Sequence, residues 1–316
     1  MTVSIVAPMY NEEDNLQSTL SKLKTEFQNN EINDYEIIFV NDGSTDNTLL
    51  KAKELEKNES QLKVIGYDIN QGRGKALRTG FDFANGDIIC SIDFDLSYDA
   101  SHVTRMIKEF EKNPIIDLVL VSAYMPGGKT IGVSPFRLLI SKLGNYIYRY
   151  AFSPKIYTST CVVRAYKKEV IKSLWLDSDD KEIHLEIISK ALANNYKHKE
   201  IPGTLTKRKV GKSKFKFRST SVKHLIFLVQ ERPIILFGFF GFILLVLSIF
   251  STSFLIYGKF FNSDFFSSAI GRIFSPNLVL ILFLGGINML GLGFIGIQNN
   301  LLKKELFKIQ KTIKKK

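Results

Sequence analysis

Cysteine is scarce in this chain: the 316 residues contain two, Cys90 and Cys161, which lie far apart in the sequence. Two distant cysteines without metal-ligand spacing exclude a disulfide-built scaffold and indicate no zinc site. We expect both to be reduced and structural. The N-terminus lacks the charged leader and apolar core of a signal peptide, because Met1 is followed directly by the strand-like stretch from Val3 to Ala7. The first domain is therefore expected to stay in the cytosol.

Two long stretches near the C-terminus lack charged residues: Pro233 to Tyr257 and Leu278 to Gln298. At about 1.5 Å of rise per residue, each is long enough to cross a hydrocarbon core of roughly 30 Å. We predict two membrane spans, 233–257 and 278–298, joined by a short link. Glycines that would permit close helix packing, and with it a homo-oligomer, recur in the second stretch. They are Gly285, Gly286, Gly291, Gly293 and Gly296.

Acidic residues are outnumbered, 31 against 43 lysines and arginines, which gives a formal net charge of +12. Basic residues concentrate outside the two apolar stretches, between Lys207 and Arg218 and from Lys303 to the C-terminus, whereas the link carries Lys259 and Arg272. This asymmetry predicts an integral membrane protein with both termini and the first domain in the cytosol. A nucleic-acid partner is not expected, because its binder would gather cations on one face.

Residues 1 to about 125 alternate β-branched runs with amphipathic helical stretches, which predicts an α/β fold with a doubly wound, mostly parallel sheet. In such a sheet, ligands bind beyond the carboxyl ends of the strands. The loops Pro8 to Glu13, Asn41 to Asn47 and Asp93 to Asp99 should meet there in one crevice. The predicted strands are Val3 to Ala7, Glu36 to Val40, Leu62 to Tyr67, Asp87 to Ile92 and Asp117 to Ser122.

Asp93-Phe94-Asp95 directly follows the apolar run that ends at Ile92. Residues two apart on a strand point the same way, so the two carboxylates could hold one Mg²⁺ or Mn²⁺ ion through oxygen ligands. Such an ion keeps open positions that nucleotide phosphates usually fill. An acid-x-acid pair after a strand is also typical of a solvated turn or a helix cap, and the motif alone does not choose between these interpretations.

Other polar residues of the predicted crevice suit a nucleotide. Glu12 and Asp42 could accept hydrogen bonds from a base or ribose, and Tyr10 offers a ring for stacking. The stretch from Asn70 to Ala76 has phosphate-loop character but lacks the spacing and the Ser/Thr of a Walker motif. Its glycines with Arg73 or Lys75 either lie near a diphosphate or only open a helix.

Two further helices are predicted, over 134–152 and over 183–192. The first is basic and amphipathic, and it either lies on a lipid surface or packs on the sheet. Residues 203–218 are basic and contain glycine, which is typical of a loop. We expect domains at 1–218, an interfacial helix at 219–232, the two spans, and a basic cytosolic tail at 299–316.

Taken together, these loops resemble family 2 glycosyltransferases, and within them the polyprenyl-phosphate sugar transferases such as dolichyl-phosphate mannose synthases and bactoprenol glucosyltransferases. The similarity runs over most of residues 3–218. The residues that carry it are Pro8 to Glu12, Asn41 to Ser44, Asn70 to Ala76 with Gly80, Asp93 to Ser97, Tyr124 to Gly128, Arg164 to Tyr166, Glu186, and Ile201 through Arg208, Gly211, Ser213 and Lys214.

The resemblance implies a GT-A-like fold and a nucleotide-sugar donor held with a divalent metal. It assigns the metal to Asp93, Asp95 and Ser97, and catalysis to Asp95, Arg137 and Arg208. The implied donor contacts are Pro8, Tyr10, Glu12, Asp42, Lys75, Asp93 and Phe94, and those of the diphosphate or acceptor are Lys129, Arg137, Arg208 and Lys214. Two positions depart from the family pattern: Ala123 replaces a frequent arginine, and the stretch from Thr158 lacks an acid and a glycine.

The expected reaction is inverting transfer of a hexose from a UDP- or GDP-linked sugar to polyprenyl or dolichyl phosphate. A phosphate monoester is largely dianionic at neutral pH, so it would attack without a general base. One alternative is a processive polysaccharide synthase, but Gln230-Glu231-Arg232-Pro233 is not the Gln-x-x-Arg-Trp motif of those enzymes. The other is a non-catalytic membrane scaffold, which would not need three carboxylates in one crevice.

Overall fold

A computed structural model describes residues 1–152, 156–207, 233–261 and 274–314. The chain forms two compact units, Met1–Thr220 with Leu306–Lys316, and Ser221–Glu305. The predicted interfacial helix at 219–232 lies outside the described residues.

The first unit contains a seven-stranded sheet in the order β3-β2-β1-β4-β7-β5-β8. Its first four strands are parallel, as predicted from their β-branched runs. Strand β7 is antiparallel to both of its neighbours, and β8 returns parallel to β5 at the edge. The sheet is therefore mostly parallel, which confirms the predicted fold class. The strands are β1 (Val3–Met9), β2 (Tyr35–Asp42), β3 (Leu62–Tyr67), β4 (Ile88–Ser91), β5 (Leu118–Ser122), β7 (Arg164–Lys167) and β8 (His198–Pro202).

A small second sheet pairs β6 (Lys129–Ile131) in parallel with β9 (Thr204–Thr206). The helices of the first unit alternate with the strands along the chain. Two of them, α5 and α7, closely match the predicted helices at 134–152 and 183–192. They are α1 (Leu16–Asn29), α2 (Thr48–Asn58), α3 (Arg73–Phe83), α4 (Ser101–Lys112), α5 (Pro135–Phe152), α6 (Lys168–Ser173) and α7 (Ile183–Ala193).

Helices cover both faces of the large sheet. Successive side chains of a strand point to opposite faces, so each strand contributes to two cores. On β1, Val3 and Ile5 join a core with α1 and α4, while Val6 joins another with α3 and α7. Gly80 lets α3 approach β1 closely: a Cβ there would lie 2.3 Å from Val6 Cγ1. Because β1 to β4 are parallel, the loops that follow their carboxyl ends lie on the same side of the sheet.

The second unit is a helical hairpin. A π-helical turn (Ile234–Gly238) leads into α8 (Phe239–Phe261), and α9 (Pro276–Lys314) follows. Both helices are long and apolar enough to cross a membrane. Their apolar side chains are largely exposed, for example Ile249 at 68% and Ile281 at 68%, unlike those of a core helix in a soluble protein. Helix α9 also continues through most of the predicted basic tail.

Glycines bring the two helices of the hairpin together. A Cβ on Gly286 would lie 2.7 Å from Leu245 Cγ, and one on Gly296 would lie 2.1 Å from Pro233 Cγ. Gly291 differs, because a Cβ there would meet nothing within 4 Å. Of the five glycines noted in the sequence, three (286, 293 and 296) leave little room for a Cβ against the facing segment, and Gly285 would place one in ordinary contact with Leu244 at 3.6 Å. A homo-oligomer stays a prediction.

Candidate active site

Three polar loops follow the carboxyl ends of β1, β2 and β4, which are neighbours in the sheet. The first two loops are hydrogen bonded to each other. The Asn11 amide N–H donates to Ser44 Oγ at 3.0 Å, and the Thr45 N–H donates to Asn11 Oδ1 at 2.8 Å. Asn11 has a positive φ of 52°, an uncommon conformation that Asn tolerates better than most residues. Ser44 and Thr45 thus link two loops of the crevice.

Asp42, a predicted nucleotide ligand, organises the loop after β3. Its Oδ1 accepts hydrogen bonds from the Tyr67 hydroxyl at 2.8 Å and from the Gln71 and Gly72 N–H groups at 2.9 and 3.0 Å. Asn70 Nδ2 donates to Oδ2 at 3.1 Å. Burial, reinforced by the hydrogen bond to Asp42, raises the pKa of Tyr67, so this phenol remains a donor. The carboxylate holds the glycine turn, residues 70–76, in place.

The two carboxylates of the Asp-x-Asp motif have different partners. Asp93 Oδ1 lies 3.4 Å from Arg73 Nη1, which joins the motif to the glycine turn. Asp95 Oδ1 accepts the Ser97 N–H at 3.0 Å and the Ser97 hydroxyl. Leu96 between them has a φ of 49°, so the backbone is held in a strained turn of the kind that clusters at functional sites. Residues 93–97 thus form a turn, as one interpretation of the sequence predicts, and Ser97 is hydrogen bonded to Asp95 within it. Their role as metal ligands stays a prediction.

Phe94 does not face the crevice. Its side chain is 3% exposed and packs edge-on against Phe39, with ring centroids 4.7 Å apart. Its carbonyl oxygen accepts the Thr19 hydroxyl at 2.7 Å. The ring of Phe94 therefore belongs to the core, whereas its two acidic neighbours in the turn are partly exposed. The predicted donor contact of Phe94 has no support from the position of its side chain.

The glycine turn opens a helix, as one interpretation of the sequence held. Helix α3 begins at Arg73 after Gly72, whose φ is 100°. The Lys75 N–H donates to Asp179 O at 3.1 Å, so one N–H of the first turn already has a protein partner. The turn nevertheless borders the candidate donor site, since Arg73 contacts Asp93.

The small sheet is attached to the Asp-x-Asp turn. Ser97 O accepts the Thr206 N–H at 2.9 Å and the Thr206 hydroxyl at 3.0 Å. The exposed Lys129 lies on β6, and the Lys207 N–H donates to Ile131 O at 3.0 Å. The basic segment that begins at Lys207 therefore starts directly beside the turn. Sequence reasoning missed this sheet, whose strands have three residues each.

His102 fixes the small sheet on α4. Its Nε2 accepts the Thr204 N–H at 3.1 Å, and its Nδ1 lies 2.8 Å from Asp99 O. These partners require a neutral ring with the proton on Nδ1. Burial lowers the pKa of His102, which favours this neutral form.

Helix α5 packs through its polar side. Asn145 is buried, and Ser141 Oγ accepts the Tyr124 hydroxyl at 2.8 Å. Leu139 and Tyr146 are 65% and 70% exposed, so an apolar side faces outward. Arg137 lies in the first turn of this helix, but the position of its side chain lies outside the description. Arg208 and Lys214 also lie outside the described residues.

The stretch that departs from the family pattern is held by a carboxylate from another strand. Glu200 on β8 accepts the N–H groups of Tyr157 and Thr158 at 2.7 and 2.9 Å. Burial raises the pKa of Glu200 in spite of these donors. The fully buried Arg164 donates to Ser159 O at 2.6 Å. The Glu200 carboxylate thus lies beside Thr158, although the stretch around Thr158 has no acidic residue of its own.

Asp93, Asp95 and the Ser97 hydroxyl offer hard oxygen ligands on one turn, which is the donor set that Mg²⁺ or Mn²⁺ prefers. Among the described residues, groups of three or more His, Cys, Asp or Glu side chains around one point are absent. The residues therefore fit a cation whose remaining positions are completed by phosphate oxygens or water. They do not form a closed protein cage.

Comparison with known proteins decides the class. The model of glycosyl transferase family 2 matches residues 4–175, more than half of the chain. The chain belongs to this family. The sequence resemblance to this family and the predicted GT-A-like fold are both confirmed.

Curated relatives of this family 2 glycosyltransferase include a dolichol-phosphate mannosyltransferase of Pyrococcus furiosus, 33% identical over 68% of this chain and 60% of that protein. A polyprenol monophosphomannose synthase of Mycolicibacterium smegmatis is 26% identical over 72% of this chain and 85% of that one. An undecaprenyl-phosphate 4-deoxy-4-formamido-L-arabinose transferase of Klebsiella pneumoniae is 24% identical over 99% and 94%. The chain thus spans less than two thirds of the first relative and nearly all of the third.

Among solved structures, glucosyl-3-phosphoglycerate synthase from Mycobacterium tuberculosis in complex with Mn²⁺, UDP and glucosyl-3-phosphoglycerate is similar in fold. The TM-score is 0.56 at 18% identity, covering 73% of this chain and 79% of that one. At this identity the similarity supports the sheet architecture.

Proposed function

We propose that this protein is a membrane-anchored, metal-dependent inverting glycosyltransferase that moves a hexose from a UDP- or GDP-linked sugar to polyprenyl or dolichyl phosphate. One observation carries the proposal. The Asp93–Asp95 turn is hydrogen bonded through Ser97 to β9, and β9 leads directly into the basic segment at Lys207. Groups suited to a donor diphosphate and groups suited to an acceptor phosphate therefore share one short connection.

On the donor side, Asp93 and Asp95 would hold the divalent cation, with Ser97 beside it. When bound, this cation would offset the charge that develops on the departing diphosphate. Arg73 contacts Asp93, so its guanidinium lies close to the same region. From the end of β1, the loop after it and the first turn of α3, we assign Pro8, Tyr10, Glu12 and Lys75 to the nucleotide.

On the acceptor side, the chain supplies cations. Lys129 and Lys207 lie at the two ends of the small sheet, and Arg208 and Lys214 follow in sequence. Together with Arg137 of α5, they would orient a phosphate monoester and favour its dianion. Because that dianion is itself a nucleophile, a general base is not required. The names of the three curated relatives, all of lipid-phosphate transferases, support this acceptor.

The hairpin would provide the anchor. Its two helices are long and apolar enough to span, and the basic segments lie on the outer flanks of both. We assign both termini and the first unit to the cytosol. A polyprenyl phosphate presents its phosphate at the membrane surface, so a basic segment next to a span in sequence would lie where the acceptor reacts.

The test is an assay of membranes that contain the full chain, with labelled UDP- and GDP-sugars and Mn²⁺ or Mg²⁺. We expect a chloroform-soluble labelled product that requires the metal and falls by about 100-fold or more in Asp95→Asn, since one preorganised transition-state contact is typically worth that much. The matched control is Asp87→Asn, because Asp87 lies before the other end of β4 and bonds the N–H of Thr2 at 2.9 Å.

Three outcomes would contradict the proposal. Label that enters a polymer would indicate the processive synthase. Donor binding that fails with every metal in calorimetry would favour the scaffold. A product that forms equally in Asp95→Asn would remove the metal site from this turn.

A further inference from the structure

The loop of residues 177–180, which we call the wall loop, lies directly against the glycine turn. The Lys75 N–H donates to Asp179 O at 3.1 Å. A Cβ on Gly72 would lie 2.4 Å from that oxygen, and one on Gly74 would lie 2.3 Å from the preceding carbonyl oxygen. Glycine is therefore needed at both positions for the contact to exist. The wall loop supports the turn that carries Arg73 toward Asp93.

Glu186 holds the wall loop from the other side. Its Oε1 accepts the Asp177 N–H and its Oε2 the Ser178 N–H, both at 2.9 Å. Lys190 Nζ lies 2.6 Å from Glu186 Oε1, and the side chains of Lys190 and Glu186 are 6% and 8% exposed. Burial alone would raise the pKa of Glu186, but Lys190 and the two N–H donors hold it below its usual value. The carboxylate is therefore charged when it binds the loop.

Lys190 connects this carboxylate to the segment that precedes the loop. Its ammonium group donates to Trp175 O and lies 3.3 Å from Asp177 Oδ2. A buried ammonium with three such acceptors uses all of its N–H groups. Glu186 and Lys190 thus form an ion pair on α7 that holds residues 175–178 in place.

The C-terminal end of α9 docks on the same region, and both sides of this contact belong to the first unit. Lys190 Nζ lies 5.0 Å from the ring centroid of Phe307. Lys311 Nζ lies 4.0 Å from the ring centroid of Tyr196, and Lys314 Nζ donates to Leu174 O at 2.6 Å. Each contact falls on α7 or on the segments that flank it.

We propose that Glu186 and Lys190 are a positioning pair that holds the wall loop against the glycine turn of the donor site, and that the docked end of α9 supports this pair. Donor binding would then depend on residues of the C-terminal helix that do not touch the donor. The inference about donor affinity rests on the proposed transferase function, whereas the inference about the loop does not.

The docked end is suited to a conditional contact. It is held by side-chain contacts: two ammonium–ring contacts and one hydrogen bond from an ammonium group to a carbonyl oxygen. Cation–ring contacts are individually weak. Truncation of Phe307 and Lys311 should therefore weaken the docking of the helix end while the sheet stays folded.

The first experiment measures amide hydrogen exchange in the full chain in detergent, without substrate. In Phe307→Ala combined with Lys311→Ala, we expect the peptides that contain Lys75 and residues 177–178 to exchange about fivefold or more faster, while the β1 peptide is unchanged. The matched control is Ile309→Ala, because Ile309 is a 55% exposed apolar residue of the same helix end. Unchanged exchange at 75 and 177–178 would overturn the role of the docked end.

The second experiment tests the pair itself. In Glu186→Gln, the wall loop loses a charged acceptor, so we expect its amides to exchange faster still, and the metal-dependent KM for the donor to rise about tenfold with kcat changed less than twofold. Lys190→Met should behave in the same way and Lys190→Arg should restore both values, since it keeps the charge. A fall in kcat at unchanged KM would overturn a positioning role. Faster exchange in a chain that transfers no sugar would refute the proposed function and leave the loop inference standing.

Discussion

Apolar side chains are mostly buried in the sheet unit and largely exposed in the hairpin. In the sheet unit, Val3 and Ile5 of β1 are fully buried beneath helices, whereas Ile249 and Ile281 of the hairpin are both 68% exposed. The sheet unit supplies its own apolar interior. The hairpin packs through a few glycines and leaves most of its surface to another apolar medium, which a bilayer provides. The difference separates a unit that buries its own apolar core from a unit whose exposed apolar helices are compatible with a bilayer.

The sharpest test of this contrast is a charge placed on the hairpin. In Ile287→Lys, a 48% exposed position of the second apolar stretch becomes cationic. A lysine at the centre of a span costs about 2.5–3.5 kcal/mol on insertion scales, so we expect a clear loss of chain from carbonate-washed membranes. Ile115→Lys is the control, because Ile115 is 72% exposed in the sheet unit. Equal retention of both variants would contradict a spanning hairpin.

The converse test perturbs packing inside the sheet unit. In Gly80→Ala, the new methyl group would lie 2.3 Å from Val6 Cγ1 and must displace α3 from β1. We expect the free energy of unfolding to fall by about 1–3 kcal/mol. Unfolding in detergent, monitored by circular dichroism, measures this change. The control is Gly144→Ala on α5, where a Cβ meets nothing within 4 Å and should stabilise the helix slightly. Unaltered stability in Gly80→Ala would show that this interface relaxes freely.

Much of the fold could be predicted because its first strands have strong local signals. The run from Leu62 to Tyr67 predicts β3 with its observed bounds, and the other parallel strands differ by a few residues at their ends. Strand β7 could not be predicted, because its four residues include a buried Arg164 and Tyr166 and have no apolar alternation. Strands β6 and β9 are shorter still and depend on partners that are distant in sequence.

The sequence indicates which residues flank the turn after β4, and their burial alternates in the structure: the ring of Phe94 lies in the core, and Asp93 and Asp95 are partly exposed. The role of the two carboxylates as metal ligands stays a prediction. The role of Asp42 as an acceptor for Tyr67 and two backbone N–H groups has no local signal, because its partners follow 25 to 30 residues later. Glu200 and the docked end of α9 were missed for the same reason: each acts through contacts that only the folded chain creates.

The smallest effect we predict is a pH dependence of stability that belongs to the sheet unit and not to the hairpin. The pKa of His102 is lowered from 6.5, first by burial, so the unfolded chain binds a proton that the folded chain resists. The stability contribution of His102 is therefore complete above about pH 6.5 and is lost as the pH falls from there toward its folded pKa, by at most about 1.4 kcal/mol per pH unit.

The variant that isolates this effect is His102→Gln, because a glutamine oxygen can still accept the Thr204 N–H but does not titrate. We expect the free energy of unfolding of the sheet unit to fall less steeply between pH 7 and 5 in the variant than in the parent chain. Retention of the hairpin in membranes should stay constant over this range. Identical slopes for parent and variant would mean that the neutral ring is not required to hold β9, and with it the start of the basic segment, on α4.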